Sequence, residues 1–372
     1  MKSENWINIE ENIVEQSEFS DFNFLIQLLK WKPSNSLHHH YYFFINQNPK
    51  TLESLENYRQ LSQIDKEYIS KQYQVAVVSG KNINYAYKIS CKNSIESKQF
   101  NLQQAIRYFN TPVFLVIENS LNDSYFLKST FRFFDIEYSK QSRLLEFIDN
   151  DWIQFVNAGG WSNIKNYMEG RKKSLEKFCS LYGKSEWDFI RCFVLMDSDK
   201  KFPTDVLLER EKLKTELESL GIKVHILKKR AMENYMPDEV IEHLPEIHTK
   251  YNPFTHWINV YKTLSSEQKD FLNYQKGFPK KRIIENNKEN VVNKERSEQI
   301  QQIQNHYPIS SISDTNYNIL DDGFQPPKFK DEFPKLFENS HHVYKDSLLK
   351  REGGTNEANE FKEIVQKINS LL

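Results

Sequence analysis

Four stretches of this 372-residue chain carry an apolar run directly into residues that could do chemistry. The run 113–117 (VFLVI) ends at Glu118. Residues 190–196 (IRCFVLM) lead into Asp197-Ser198-Asp199, residues 152–156 into a loop holding Gly159-Gly160, and residues 222–227 into Lys228-Lys229-Arg230 with Glu233 just beyond. Asp197 and Asp199 are two residues apart, so an extended chain would point both carboxylates to one side. Carboxylates that close repel each other, and a bound cation relieves the repulsion best. Carboxylate oxygens are hard ligands, which favours Mg²⁺, Mn²⁺ or Ca²⁺ over zinc. The three cysteines, Cys91, Cys179 and Cys192, form no CxxC pair, which argues against a zinc ribbon or a disulfide framework. His38-His39-His40 precedes the apolar YYFFI and is read as an exposed strand edge. Gly183-Lys184-Ser185 resembles the end of a phosphate-binding P-loop, but Phe178 stands where the first glycine belongs. No other such motif is present, so an ATPase activity is not expected of this chain itself.

The elements that would position these groups alternate. The continuous apolar run 113–117 fits a strand buried on both faces of a parallel sheet, 190–196 is read as another buried strand, and 152–156 and 222–227 as the remaining two strands. Helical spacing over 123–134, 164–181 and 205–220 falls between them, the last stopped by Gly221 at a position suited to a left-handed cap. This predicts a doubly wound α/β sheet, whose ligands bind beyond the carboxyl ends of its strands. Residues 1–110 are expected to form an N-terminal α/β accessory region. It has a helix or strand at 22–31, strand-like runs at 41–45 and 74–78, and a return strand near 85–89. Residues 111–245 form the sheet domain, and 246–372 a mostly helical C-terminal extension. In that extension a helix is expected over 257–278 and another over 357–371. The polar stretch 280–330 is expected to be partly a mobile linker.

The segments VFLVIENSLNDSYFL and MDSDKK resemble the two acidic motifs of Toprim domains, and NAGGWSNI and KKRAMENYMP extend that resemblance. Together these segments resemble the Toprim nucleases of the overcoming-lysogenization-defect group and related phage-defence proteins, over roughly residues 112–245. The resemblance implies a Toprim-like parallel sheet flanked by helices. It implies that Glu118, Asp197 and Asp199 hold Mg²⁺ or Mn²⁺, with Asp123 and Glu233 as further ligands or supporting groups. Glu118 is alternatively a general base. Two divalent ions about 3.5–4 Å apart can activate a nucleophile and neutralise developing charge in phosphodiester cleavage. Lys200, Lys229 and Arg230 are the candidates for contacts to phosphate or to the transition state. Gly159-Gly160 would let backbone approach a phosphate or pack against the acidic loop. Plainer roles stand beside these: Asp123 as a helix cap, Gly159-Gly160 as a tight turn, and Lys228-Lys229-Arg230 as a solvated run. Asn119 stands where the family often has glycine, and Asp123 follows Glu118 by one residue more than usual.

The implied activity is metal-dependent endonucleolytic cleavage of DNA or RNA in antiviral defence. The implied partners are nucleic acid and a separate ATPase or a second copy of the chain. Alternatives are an RNA-processing Toprim enzyme and a non-catalytic partner-binding subunit. With 50 basic and 51 acidic residues the net charge is -1, so nucleic-acid binding would need a local patch, an ion or a partner. No apolar run reaches the ~18 residues of a membrane helix, and the acidic N-terminus lacks a signal-peptide core, so a cytoplasmic protein with no membrane contact is expected.

Overall fold

The computed structural model describes residues 6–31, 41–79, 85–135, 142–247, 249–277, 294–307, 312–321, 323–326 and 328–372. Two four-stranded parallel sheets flanked by helices organise the chain. The first contains β1 (Trp6–Ile9), β2 (Tyr42–Ile45), β3 (Tyr85–Ile89) and β4 (Gln99–Phe100), in the order β2-β1-β3-β4. The second contains β5 (Val113–Ile117), β6 (Ile153–Asn157), β7 (Cys192–Met196) and β8 (Lys223–Ile226), in the order β6-β5-β7-β8. In the second sheet β5 and β7 are neighbours, with Leu115 opposite Phe193 and Val116 opposite Val194. This register puts the ends of the two acid-bearing strands side by side.

The continuous apolar runs have a direct explanation, because each face of the second sheet belongs to a different core. Val113, Leu115, Ile117, Phe193 and Leu195 pack against the C-terminal helices. Val116, Cys192, Val194, Met196 and Val224 pack toward the first sheet and toward the helices that follow β6 and β7. The N-terminal sheet therefore shares a hydrophobic core with the second sheet. Arg191 reinforces the junction. Its buried guanidinium donates to Tyr41 Oη (2.8 Å), the Thr111 carbonyl (2.9 Å) and the Leu371 carbonyl (2.9 Å), which ties three regions of chain together.

Among the helices, Phe19–Lys30 is α1, Gln63–Ser79 is α2, Ser120–Phe134 is α3, Ile164–Tyr182 is α4, Leu208–Ser219 is α5 and Glu360–Asn369 is α6. Residues 74–78, read from sequence as a strand, are the last turns of α2. A local start signal overrides their β-branched content: Asp65 donates its amide to Ser62 Oγ (3.2 Å) while its carboxylate accepts from the same hydroxyl (2.6 Å). Val77 and Val78 consequently face solvent. The helix expected over 257–278 divides into Thr255–Thr263 and Ser266–Phe271. Ser265 accepts from the amide of Gln268 and starts the second piece with a capping box. Gly221 adopts φ 84°, as its predicted capping position requires. The polar stretch 280–330 contains helices Lys294–His306 and Asp314–Asp321, while residues 278–293 lie outside the described residues, as do His38, His39 and His40. Among the described residues no helix is long and apolar enough to cross a membrane.

The C-terminal extension holds the tail of β8 in place. Asp270 forms ion pairs with the buried Lys229 and Arg351, and the Asp270 carbonyl accepts from the Arg230 amide (3.0 Å). Glu360, buried at the start of α6, accepts from the Lys228 amide (2.8 Å) and from Tyr235 Oη, and bonds to His225 Nε2 (2.8 Å). Removing the shared carboxylate would leave the buried Lys229 without its ion-pair partner and Arg351 with only the longer pair to Asp238 (3.6 Å). Asp270→Ala is therefore expected to lower the unfolding free energy by about 3–5 kcal/mol. Urea denaturation checks this, and a change under about 1 kcal/mol, the level of an exposed pair, would contradict it.

Candidate functional site

The carboxyl ends of β5, β6 and β7 meet at one edge of the second sheet. Glu118 is the first residue past β5 and sits at the centre of this meeting point. Its Oε1 accepts the backbone amide of Asp197 (3.0 Å), and its Oε2 accepts that of Trp161 (3.3 Å). Its own carbonyl accepts from the amides of Gly159 (3.1 Å) and Gly160 (3.2 Å). The glycine loop after β6 thus clamps Glu118 with backbone donors. Both glycines have positive φ, 72° and 110°, a conformation that residues bearing a Cβ adopt only with strain. Their amides are used on Glu118.

Asp197 follows β7 directly. Its Oδ1 accepts the amide of Met232 (3.2 Å), which joins it to the segment after β8. Ser198 is buried and donates to the Lys229 carbonyl (2.7 Å). The Asp199 amide donates to the Arg230 carbonyl (2.8 Å). The acidic loop is therefore stitched to the tail of β8, which the C-terminal extension anchors. Asp199 does not continue the extended chain that sequence alternation assumed. It takes φ 51°, a left-handed conformation that Asp tolerates better than most residues, and its carboxylate turns to Arg210.

Asp123 lies in the first turn of α3. The helix cap is Asn119, whose side chain accepts from the Asn122 amide (3.3 Å), while Asp123 Oδ2 accepts the Asn119 amide (2.7 Å). Asp123 thus braces the turn from within, and Asn119 at the position where glycine was expected serves as the cap. Glu233 lies in a short 3₁₀ turn, Met232–Tyr235, and is half-buried. Lys229 points inward to Asp270 and to the Arg351 carbonyl (2.8 Å), away from any phosphate outside, and burial lowers its pKa to about 8. Arg230 is half-buried and donates to the Lys200 carbonyl (3.3 Å). Lys200 donates its amide to Ser198 Oγ (3.3 Å).

Burial raises the carboxyl pKa at Glu118, Asp123, Asp197 and Glu233. At Asp197 the charges of Glu233, Glu118, Asp123 and Asp199 raise it further. At Glu118 the guanidinium of Arg210 works in the opposite direction. Arg210, from α5, was not singled out by sequence reasoning. It is buried, donates to Glu118 Oε1 (3.2 Å) and to the Asp197 carbonyl, and pairs with the Asp199 carboxylate. Its guanidinium lies 5.2 Å from the ring centroid of Trp161, a cation–π contact. A pattern signal existed: Arg210, Leu213 and Leu217 share one buried helical stripe, where an arginine is out of place without a partner.

These donors are all hard oxygens, which fits Mg²⁺ or Mn²⁺. Among the described residues, however, no three His, Cys, Asp or Glu side chains stand together as a ready ligand set. Glu118 and Asp199 are turned to Arg210, and the carboxyl of Asp197 to Met232. The oxygens are of the kind a hard cation takes, and Arg210 engages those of Glu118 and Asp199.

A titration follows. Burial, followed by the charges of Glu233 and Glu118, pushes Asp123 from 3.8 to about 7. The folded protein then keeps this proton over a pH range in which the unfolded chain has released it. The associated stability is fully present below about pH 4 and is lost as pH rises through about 7. In EDTA, thermal stability should therefore fall between pH 5 and pH 8 on this account. Asp123→Asn should flatten the fall by on the order of 2 kcal/mol, and identical pH profiles for the two proteins would contradict the assignment. No protein-family model, curated protein or solved structure matches the chain, so the reading of this site rests on its residues and their geometry.

Proposed function

We propose that this chain is a Mg²⁺-dependent phosphodiesterase of Toprim type, an endonuclease acting on DNA or RNA. The observation that carries the reading is the 3.0 Å hydrogen bond from the Asp197 amide to the Glu118 carboxylate, which joins the two acidic motifs at adjacent strand ends. Raised pKa values at four neighbouring carboxyl groups support it. Such clusters mark sites where a cation or a proton is handled. In this reading Glu118, Asp197 and Asp199 hold the metal, with Mn²⁺ able to replace Mg²⁺. Asp123 and Glu233 support them. The bound ion would neutralise charge on the phosphate and lower the pKa of a water. Glu118, held by the amides of Trp161 and Asp197, would present its carboxylate to that ion. Lys200 and Arg230 lie beside the acidic loop and are the phosphate-facing candidates. Lys229 is assigned to the scaffold. The glycine loop positions Glu118.

A second reading is favoured by Arg210, whose ion pairs close the acidic loop. In that reading the chain is a non-catalytic subunit that binds partners, among which a separate ATPase or a second copy would complete the activity. The antiviral role belongs to the proposal through the Toprim resemblance alone.

Cleavage of plasmid DNA and of structured RNA, titrated with Mg²⁺ and Mn²⁺, separates the readings. Glu118→Gln and Asp197→Asn are each expected to reduce cleavage by about a hundredfold or more, with folding preserved by circular dichroism. Cleavage that survives both substitutions would remove the catalytic assignment. A chain inert alone that gains cleavage when a candidate ATPase is added, and keeps it in both variants, would favour the subunit reading.

A further inference from the structure

We propose that Arg210 is a resident counter-cation of the acidic site, a positioning residue that a divalent ion must displace in order to bind. This rests on the metal reading above and deepens it. The guanidinium contacts Glu118 Oε1, the Asp197 carbonyl and the Asp199 carboxylate, so one side chain spans both acidic motifs. It is 3% exposed, whereas the Asp199 side chain it pairs with is 49% exposed. A buried guanidinium aimed at three oxygens from two strand ends does there what a metal would do. It neutralises them and fixes their spacing. Arginine suits the task because its planar fork reaches several acceptors at once and its charge is permanent. The indole of Trp161 lies by the guanidinium, and the Trp161 amide holds the other oxygen of Glu118. Arg210, Trp161 and Glu118 therefore form one connected unit.

The consequence is competition. An ion that takes Glu118 and Asp199 as ligands uses the oxygens that Arg210 occupies. The two cations are then negatively coupled, and by linkage each weakens the other. Arg210 holds the acidic loop against Glu118. Metal entry releases the guanidinium from its carboxylates while it remains tethered on α5 beside the site, where it can meet an anionic phosphate. Affinity for the free ion is lowered by the strength of the arginine contacts. A phosphate that accepts the displaced guanidinium favours metal binding, so ion and nucleic acid bind cooperatively.

The test is binding of Mn²⁺ followed by electron paramagnetic resonance on the full chain, comparing wild type with Arg210→Gln and Arg210→Lys. Displacement predicts that Arg210→Gln binds Mn²⁺ about tenfold or more tightly, with Arg210→Lys in between. A merely structural arginine predicts the reverse, because its loss would disorder the ligands. Equal or weaker affinity in Arg210→Gln overturns the proposal while leaving the metal reading intact. Absence of Mn²⁺ binding to all three proteins overturns the metal reading and this proposal with it. A second measurement uses the wild-type fold and does not depend on how the Arg210 variants fold. Mg²⁺ should change tryptophan emission as the guanidinium leaves the Trp161 ring, and Trp161→Phe should abolish the change. An emission change that persists in Trp161→Phe, or none in wild type under Mg²⁺ concentrations that saturate Mn²⁺ displacement, also overturns the proposal.

Discussion

Carboxylates gathered at the edge of a parallel sheet repel each other and lose hydration as they are buried, and the fold has to offset both costs. Burial raises Glu118, Asp123, Asp197 and Glu233 above ordinary carboxyl values, and the guanidinium of Arg210 is hydrogen-bonded to Glu118 and to the Asp197 carbonyl. Much of the surrounding structure follows from this constraint. Backbone amides from Trp161, Asp197, Asn119 and Met232 each supply a donor to one of the carboxyl groups. These donors come from four separate stretches of chain, so the acidic arrangement depends on the tertiary fold being complete.

The completeness reaches far from the strand ends. The acidic loop is held by the tail of β8, and that tail by Asp270 and Glu360 of the C-terminal extension. The extension is part of the scaffold of the site. Arg191 then joins the extension to the N-terminal sheet through the Leu371 carbonyl and Tyr41. Buried ionic groups of this kind add little net stability over apolar packing, yet breaking one leaves an uncompensated charge. In this chain they fix which segment meets which.

Where sequence patterns report burial on both faces, the fold was legible. The runs ending at Glu118 and Asp197 were placed on strands, and those strands are neighbours. The strand-like runs 41–45 and 85–89 are β2 and β3. What escaped was decided by contacts distant in sequence. β1 is a four-residue strand whose WINI carries little signal of its own and is defined by pairing with β2 and β3. Residues 74–78 look β-branched, but Ser62 and Asp65 start a helix upstream. Arg210 sits in a charged helix among Glu and Lys residues that face water, and its burial becomes evident only when its stripe-mates Leu213 and Leu217 are considered. Lys229 reads in the sequence as a phosphate contact or a solvated charge because its partner, Asp270, lies 41 residues away. The turn at Asp199 could not be foreseen from alternation, since the carbonyl that receives its amide belongs to Arg230.

The central claim is that carboxyl groups from adjacent strand ends serve a shared hard cation. Crystals soaked in Mn²⁺ and measured for anomalous scattering address it most directly. The account predicts a peak about 2.0–2.6 Å from oxygens of both Glu118 and Asp197 or Asp199, with the Arg210 guanidinium moved off those oxygens. A soaked crystal with no peak at this edge of the sheet, and Arg210 still bridging the two motifs, would contradict it.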